Sequence, residues 1–268
     1  QPKLTNDEAR RLRGLRFKFS VDPKKVLFEF SSSPNGMVRM PVASLLFLKD
    51  LANAQAWLQL SDYSAQPVLD YLAIIRQGRL GEWPEAERLP LTALGIPAKE
   101  LTSERVLARR NDILGKTILF ILAHELGHVV QDFSAQADCQ LKKICDYQEL
   151  QKSESNADGF AVEMFRRMGL LPSASNFFFA LNSRLSSMPF EFKTDADWRA
   201  HAKDVTHPLD SSRIGNVAAL IERDEVAFAR GFASPELGAL KVNQSVGKLR
   251  ELASFIDDRN LAGMQIAW

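Results

Sequence analysis

The stretch Ile118-Leu119-Phe120-Ile121-Leu122-Ala123-His124-Glu125-Leu126-Gly127-His128-Val129-Val130 decides how the chain is read, because it writes H-E-x-x-H into a segment that is apolar nearly all round. A helix apolar on every side belongs inside a protein. Two imidazoles four residues apart lie on one face of it, since four steps of about 100° bring a side chain back to within roughly 40° of its starting direction. His124 and His128 can therefore grip one metal ion. Glu125, one step round, can overhang the open side of that metal and take a proton from a water there. Two solvated histidines on a surface helix are the bland alternative. Against it, two histidines and a carboxylate drawn into a core need partners, and a divalent cation satisfies all three more simply than unrelated hydrogen bonds.

A tetrahedral catalytic zinc site needs a third protein ligand, and the next candidate is Glu154, 26 positions after His128, in Glu154-Ser155-Asn156-Ala157-Asp158. The periodicity predicts a second helix from about Gln148 to Met168. Leu150, Ala157, Ala161, Val162, Phe165 and Met168 are available for burial there, and Arg166 and Arg167 are left for solvent. Glu154 and Asp158 share a face. Ala157 and Ala161 on the same side are small enough to let this helix approach the first, so that the Glu154 carboxylate reaches the metal. Asp158, one turn on, is placed to accept the free ring N–H of a ligand histidine and fix its tautomer. A solvated acidic pair is the rival for these two residues.

The combination of H-E-L-G-H with E-x-x-A-D resembles the gluzincin metallopeptidases. Thr206-His207-Pro208 followed by Arg213-Ile214 is similar to the H-P-x-x-x-x-R motif of their HtpX-like and CaaX-processing branch. The likeness covers about Ile118 to Ile214, and it implies a zinc-dependent endopeptidase with His124, His128 and Glu154 as ligands and Glu125 as base. It departs from the membrane-embedded members in lacking their long apolar spans, and in a shorter interval between the histidine pair and the third ligand. The resemblance gives His207 the task of donating to the oxyanion that develops on the attacked carbonyl. Pro208 suits the first position of a helix running on through Ile221, so His207 would stand at a loop-to-helix entrance. Arg213 would steady it or bind a substrate carbonyl or carboxylate. The plainer alternative is that His207 caps a helix and Arg213 pairs with an acid. His201, in a polar stretch after Trp198, reads as a surface histidine.

At 268 residues and 46% hydrophobic, the chain can bury a core without staples. We read it as one metallopeptidase domain over 1–268, with a β-rich start plus helices (1–100), a zinc-binding catalytic core (103–222) and a helical C-terminal part (223–268). The fold class expected is α+β, mainly helical and zincin-like, with a small antiparallel sheet. Strands are expected at Leu15 to Val21, Val26 to Phe30 and Met37 to Met40, with turns at 22–25 and 31–36. Helices are expected from Pro41 to Trp57, from Pro67 to Gln77, over 208–230 and over 235–258. Gly81 to Thr102, rich in proline, reads as a surface connection able to act as a mobile flap, and Phe190 to Asp197 as a polar loop.

A net charge of +1 and the lack of a basic stripe argue against nucleic acid as a partner, leaving a peptide or protein substrate. Gly115-Lys116-Thr117 interrupts the apolar run before Ala123, so no integral membrane segment is expected and the enzyme reads as soluble. That Gly-Lys-Thr is no phosphate loop, because Arg110 stands where such a loop needs glycine. The chain opens on Gln1 without a signal-like segment, which suggests that the natural start has been removed. Cys139 and Cys145 leave two readings open. A disulfide closing a small loop favours a periplasmic or secreted protein, and two reduced thiols do not. Two further functions stand beside the endopeptidase: a catalytically silent, peptidase-like binding or regulatory protein, and a zinc amidase using the same ligands.

Overall fold

A computed structural model of the chain describes residues 4–21, 28, 30–33, 35–76, 89–131, 147–187, 189–202, 207 and 209–257. They form a mainly helical α+β structure. The helices are α1 (Asn6–Arg11), α2 (Val42–Leu60), α3 (Gln66–Arg76), α4 (Pro90–Ala93), α5 (Glu104–Val130), α6 (Tyr147–Met168), α7 (Ala174–Leu185), α8 (Asp195–Ala202), α9 (Ser211–Arg223), α10 (Glu225–Ala229) and α11 (Pro235–Asp257). Three short strands, β1 (Arg16–Lys18), β2 (Ser31–Ser33) and β3 (Met37–Arg39), make a sheet in the order β1-β3-β2.

The sheet is mixed, and this corrects the expected antiparallel arrangement. β2 pairs antiparallel with β3, but β1 pairs parallel with it. A strand also falls on three serines, Ser31–Ser33, within the stretch expected as a turn. Of the strand expected at Val26 to Phe30, 26, 27 and 29 lie outside the described residues, and Phe30 is buried just ahead of β2. Gly36, at φ +71°, turns the chain between β2 and β3. The Asn-Gly turn sets the hairpin register regardless of the weak strand preference of serine.

The H-E-x-x-H helix is much longer than its apolar core suggested. α5 runs 27 residues and passes straight through Gly115-Lys116-Thr117, where the Thr117 hydroxyl donates back to the Ile113 carbonyl at 2.7 Å. This overturns the expectation that the tripeptide breaks the apolar run: by length and composition, α5 is long and apolar enough to cross a membrane. In the fold it is the central helix, packed against α2, α6 and α7. Phe120 and Ile121 are buried beside Phe165, Phe178 and Phe179, with the Phe120 ring 5.9 Å from that of Phe179. The phenylalanines of α7, a helix not anticipated from the sequence, supply much of this packing.

Other expectations are adjusted in kind. Of the proposed flap, 81–88 lie outside the described residues, while 89–102 form α4 and a 3-10 turn (Ala98–Thr102), with Pro90 and Ile96 buried. The supposed polar loop after Phe190 is helical from Asp195. The helix expected over 208–230 starts only at Ser211 and breaks at Asp224 into α9 and α10. Arg167 is not left to solvent but bonds Glu8 of α1 at 2.6 Å. Cys139 and Cys145 lie outside the described residues.

What positions the site is the crossing of α5 and α6. A Cβ on Gly127 would stand 2.9 Å from the Ala157 Cα and 3.0 Å from its carbonyl oxygen, closer than real contacts allow. The small residues of the second helix therefore do bring it against the first. Gly127→Ala is expected to push the helices apart and destabilise the fold by about 1–3 kcal/mol. Thermal melting checks this, and an unchanged Tm would mean that the helices do not meet here.

Candidate metal centre

At this crossing lies a group of side chains buried almost to the last atom: His124, Glu125 and His128 from α5, Glu154 and Asp158 from α6, and Arg213 from α9, each at most 3% exposed. Such burial of ionisable groups is tolerated only with close partners. The geometry shows them. The His124 Nδ1–H faces Asp158 Oδ1 at 2.8 Å, the placement anticipated for Asp158, which leaves His124 Nε2 pointing into the cluster. His128 Nδ1 stands 3.4 Å from the Ser153 hydroxyl, so its Nε2 points inward too, 3.1 Å from that of His124. The Glu154 carboxylate closes the group, with Oε2 3.4 Å from His124 Nε2 and Oε1 3.2 Å from His128 Nε2.

Ligands bound tetrahedrally at about 2.0–2.1 Å, the zinc–nitrogen and zinc–oxygen range, stand roughly 3.3 Å from one another. The two histidine nitrogens, 3.1 Å apart, and their separations of 3.4 and 3.2 Å from one or the other Glu154 oxygen lie near that spacing. His124, His128 and Glu154 thus fit a metal ion, and a fourth donor joins them: ligand atoms of these three residues and of His207 all lie within 4.8 Å of one another. The charge fits as well. Glu125, Glu154 and Asp158 carry a formal −3 against +1 from Arg213, and the remaining −2 is what one divalent cation neutralises.

In the chain by itself a proton supplies part of that charge. Burial opposes protonation of His124, but the Asp158 and Glu154 carboxylates outweigh it and push the ring up to about 10. His128 moves the other way, held down by burial and by the neighbouring His124 against the pull of Glu154. Burial by itself would raise Glu154, yet His207, Arg213 and His128 hold its carboxyl well below the usual range. Asp158 is lowered in the same way, Arg213 and His124 outweighing burial. Because a metal must displace the proton on His124, binding releases it and strengthens as pH rises.

His207 comes to the site from the loop ahead of α9 and is 25% exposed, far more than the others. Its Nδ1 lies 3.1 Å from both oxygens of Glu154. Its Nε2–H donates to the Phe30 carbonyl at 3.2 Å and is 3.6 Å from Glu125 Oε1. The other oxygen of Glu125, Oε2, is buried without a partner among the described residues. Arg213 grips Asp158 through Nε at 2.6 Å and Glu154 through Nη1 at 2.9 Å, with its guanidinium 5.6 Å from the Phe179 ring centre. It reaches acids of the cluster, as the plainer sequence reading allowed. His201 stacks on Phe192 at 4.9 Å and stays apart from the metal group.

Sequence reasoning missed Ser153, the Phe30 carbonyl and Asp210. Asp210 is the true cap of α9: its Oδ1 accepts the Arg213 N–H at 2.9 Å. An Asp ahead of a helical run is a readable capping signal, but Pro208 drew the helix start three residues too early. No family description, curated protein or solved structure matches the chain.

Arg213→Met should leave Asp158 and Glu154 buried without their guanidinium and destabilise the metal-free protein by about 3–5 kcal/mol. A urea titration measures it, and a loss under about 1 kcal/mol would mean that the network does not depend on Arg213.

Proposed function

We propose that the chain is a zinc-dependent peptidase that hydrolyses peptide bonds with a metal-activated water. The observation that carries this reading is the convergence of the inward-facing His124 and His128 nitrogens and the Glu154 carboxylate, close enough together to hold one metal ion, with the Glu125 carboxylate beside them and one of its oxygens without a partner among the described residues. The resemblance of H-E-L-G-H, E-x-x-A-D and H-P-x-x-x-x-R to gluzincins supports it, as does the match in charge. His124, His128 and Glu154 would hold zinc, which when bound polarises a carbonyl and lowers the pKa of water toward neutrality.

The chain's own groups would do the rest. Glu125 accepts the proton of the attacking water on Oε2 and passes it to the leaving amine nitrogen. His207 would turn its Nε2–H from the Phe30 carbonyl to the substrate carbonyl oxygen as charge develops there. Asp158 holds His124 in the tautomer that points Nε2 at the metal, and Arg213 keeps both α6 carboxylates ionised and in place.

Elemental analysis of purified protein should find about one zinc per chain, retained in Glu125→Gln and lost in Glu154→Ala. Digestion of a diverse peptide library, read by mass spectrometry, should show cleavage by the wild type and none by Glu125→Gln. Zinc undiminished in Glu154→Ala would remove that residue from the ligand set, and full turnover by Glu125→Gln would mean that another base operates.

A second reading, a protein that holds its metal without turning anything over, is favoured by one observation. A ring nitrogen of His207 falls within the ligand group, and a fourth protein ligand closes a zinc site. His207→Ala separates the two. Loss of a transition-state donor slows turnover by about a hundredfold to a thousandfold with zinc affinity unchanged, whereas loss of a ligand weakens zinc binding.

A further inference from the structure

One stripe of α6 meets the segment 207–213 at three rungs, and only two of them touch the candidate metal ligands. Tyr147, Glu154 and Asp158 lie seven and four positions apart, which brings all three within about 40° of one another around the helix. Glu154 faces His207 and Asp158 grips Arg213. The remaining rung is Tyr147, whose hydroxyl donates to Asp210 Oδ2 at 2.6 Å.

That hydroxyl is oriented, not free to rotate. Trp198 Nε1–H, which can only donate, gives its hydrogen to the Tyr147 oxygen at 3.2 Å, so the tyrosine's own proton is committed to Asp210. A separation of 2.6 Å is in the range of hydrogen bonds to an ionised carboxylate, about twice as strong as neutral ones. The other Asp210 oxygen accepts from Ser212 Oγ at 2.7 Å and from the Arg213 backbone N–H at 2.9 Å. Both oxygens are thereby fixed, at a residue three positions from His207 and three from Arg213.

We propose that Tyr147 is a positioning residue for this site: by anchoring Asp210 to the first turn of α6, it registers His207 and Arg213 against Glu154 and Asp158 on the same helix. Its functional meaning rests on the metal-hydrolase reading above. Without the anchor, Asp210 and the start of α9 can shift along α6, and Arg213, which holds the ligand carboxylates, shifts with them.

Tyr147→Phe removes the hydroxyl and keeps the ring that packs on Trp198 and under Arg199, while Asp210→Asn keeps the shape of the cap. Zinc affinity of the wild type, both single variants and the double variant is measured at one pH by competition with a chromophoric chelator. The 15N ring resonances of His207 are recorded alongside, as a signature that a merely structural tyrosine would not move. Each single variant should bind zinc roughly tenfold more weakly, the lower end of what supporting partners of metal ligands contribute. Both should shift the His207 resonances, and the double variant should be no worse than about twofold beyond either single, because both act through one contact. Wild-type affinity with unmoved His207 resonances, or losses that multiply in the double variant, would overturn the proposal. If the wild type binds no zinc, the metal-hydrolase reading fails. The anchor is then judged by the His207 resonances of the metal-free chain, where identical spectra for the wild type and Tyr147→Phe would overturn it.

Discussion

Two carboxylates sealed in the core govern this structure. Glu154 and Asp158 are each 1% exposed, and a buried carboxylate survives only where other groups replace the water it has lost. Every element around them supplies such a group: α5 its histidines, α9 its arginine, and the loop before α9 its third histidine. The close crossing of α5 and α6 at Gly127 and Ala157 is the precondition, because a larger residue at either point would hold Glu154 out of reach of His124 and His128. The site and the fold are therefore one problem in packing, since the same contacts that exclude water from the core aim the ligand atoms at a common point.

That arrangement divides the labour by element. α5 contributes two inward nitrogens and the Glu125 carboxylate from within five consecutive residues, which fixes their mutual geometry through the helix itself. α6 contributes the third donor and the partner of His124. α9 contributes a guanidinium that satisfies both α6 acids at once, a task suited to a planar, always-charged fork. Only His207 stands on a non-helical segment, and only His207 is open to solvent to any degree. The most exposed site residue is thus the one whose role would differ between the proposed hydrolytic site and a closed metal site.

Much of this was legible in the chain because it rests on local periodicity. The four-residue spacing of His124 and His128, the shared face of Glu154 and Asp158, and the small Ala157 each follow from helix geometry. What failed was non-local. The parallel pairing of β1 with β3 joins strands some twenty residues apart in the chain, and alternation along a strand does not say which neighbour it pairs with or in which direction. The buried α7 packs its phenylalanines on α5, a contact with no signature in the local pattern. Gly115-Lys116-Thr117 interrupts the apolar pattern without ending the helix, so α5 extends well beyond the apolar stretch that the sequence reading singled out. At the site, the partner of Arg213 was read only as one of two possibilities, since a long arginine side chain can reach acids well removed in sequence. Tyr147 belongs to no recognisable motif and the capping signal of Asp210 was passed over for Pro208, and only the approach of α6 to the start of α9 brings the two together.

The most direct test of the central claim is a crystal of the purified protein measured on both sides of the zinc absorption edge. The account predicts one strong anomalous peak per chain, about 2.0–2.1 Å from His124 Nε2, His128 Nε2 and a Glu154 oxygen. A crystal with no peak among these residues, or with its zinc held elsewhere while His124, His128 and Glu154 bond only to one another, would contradict it.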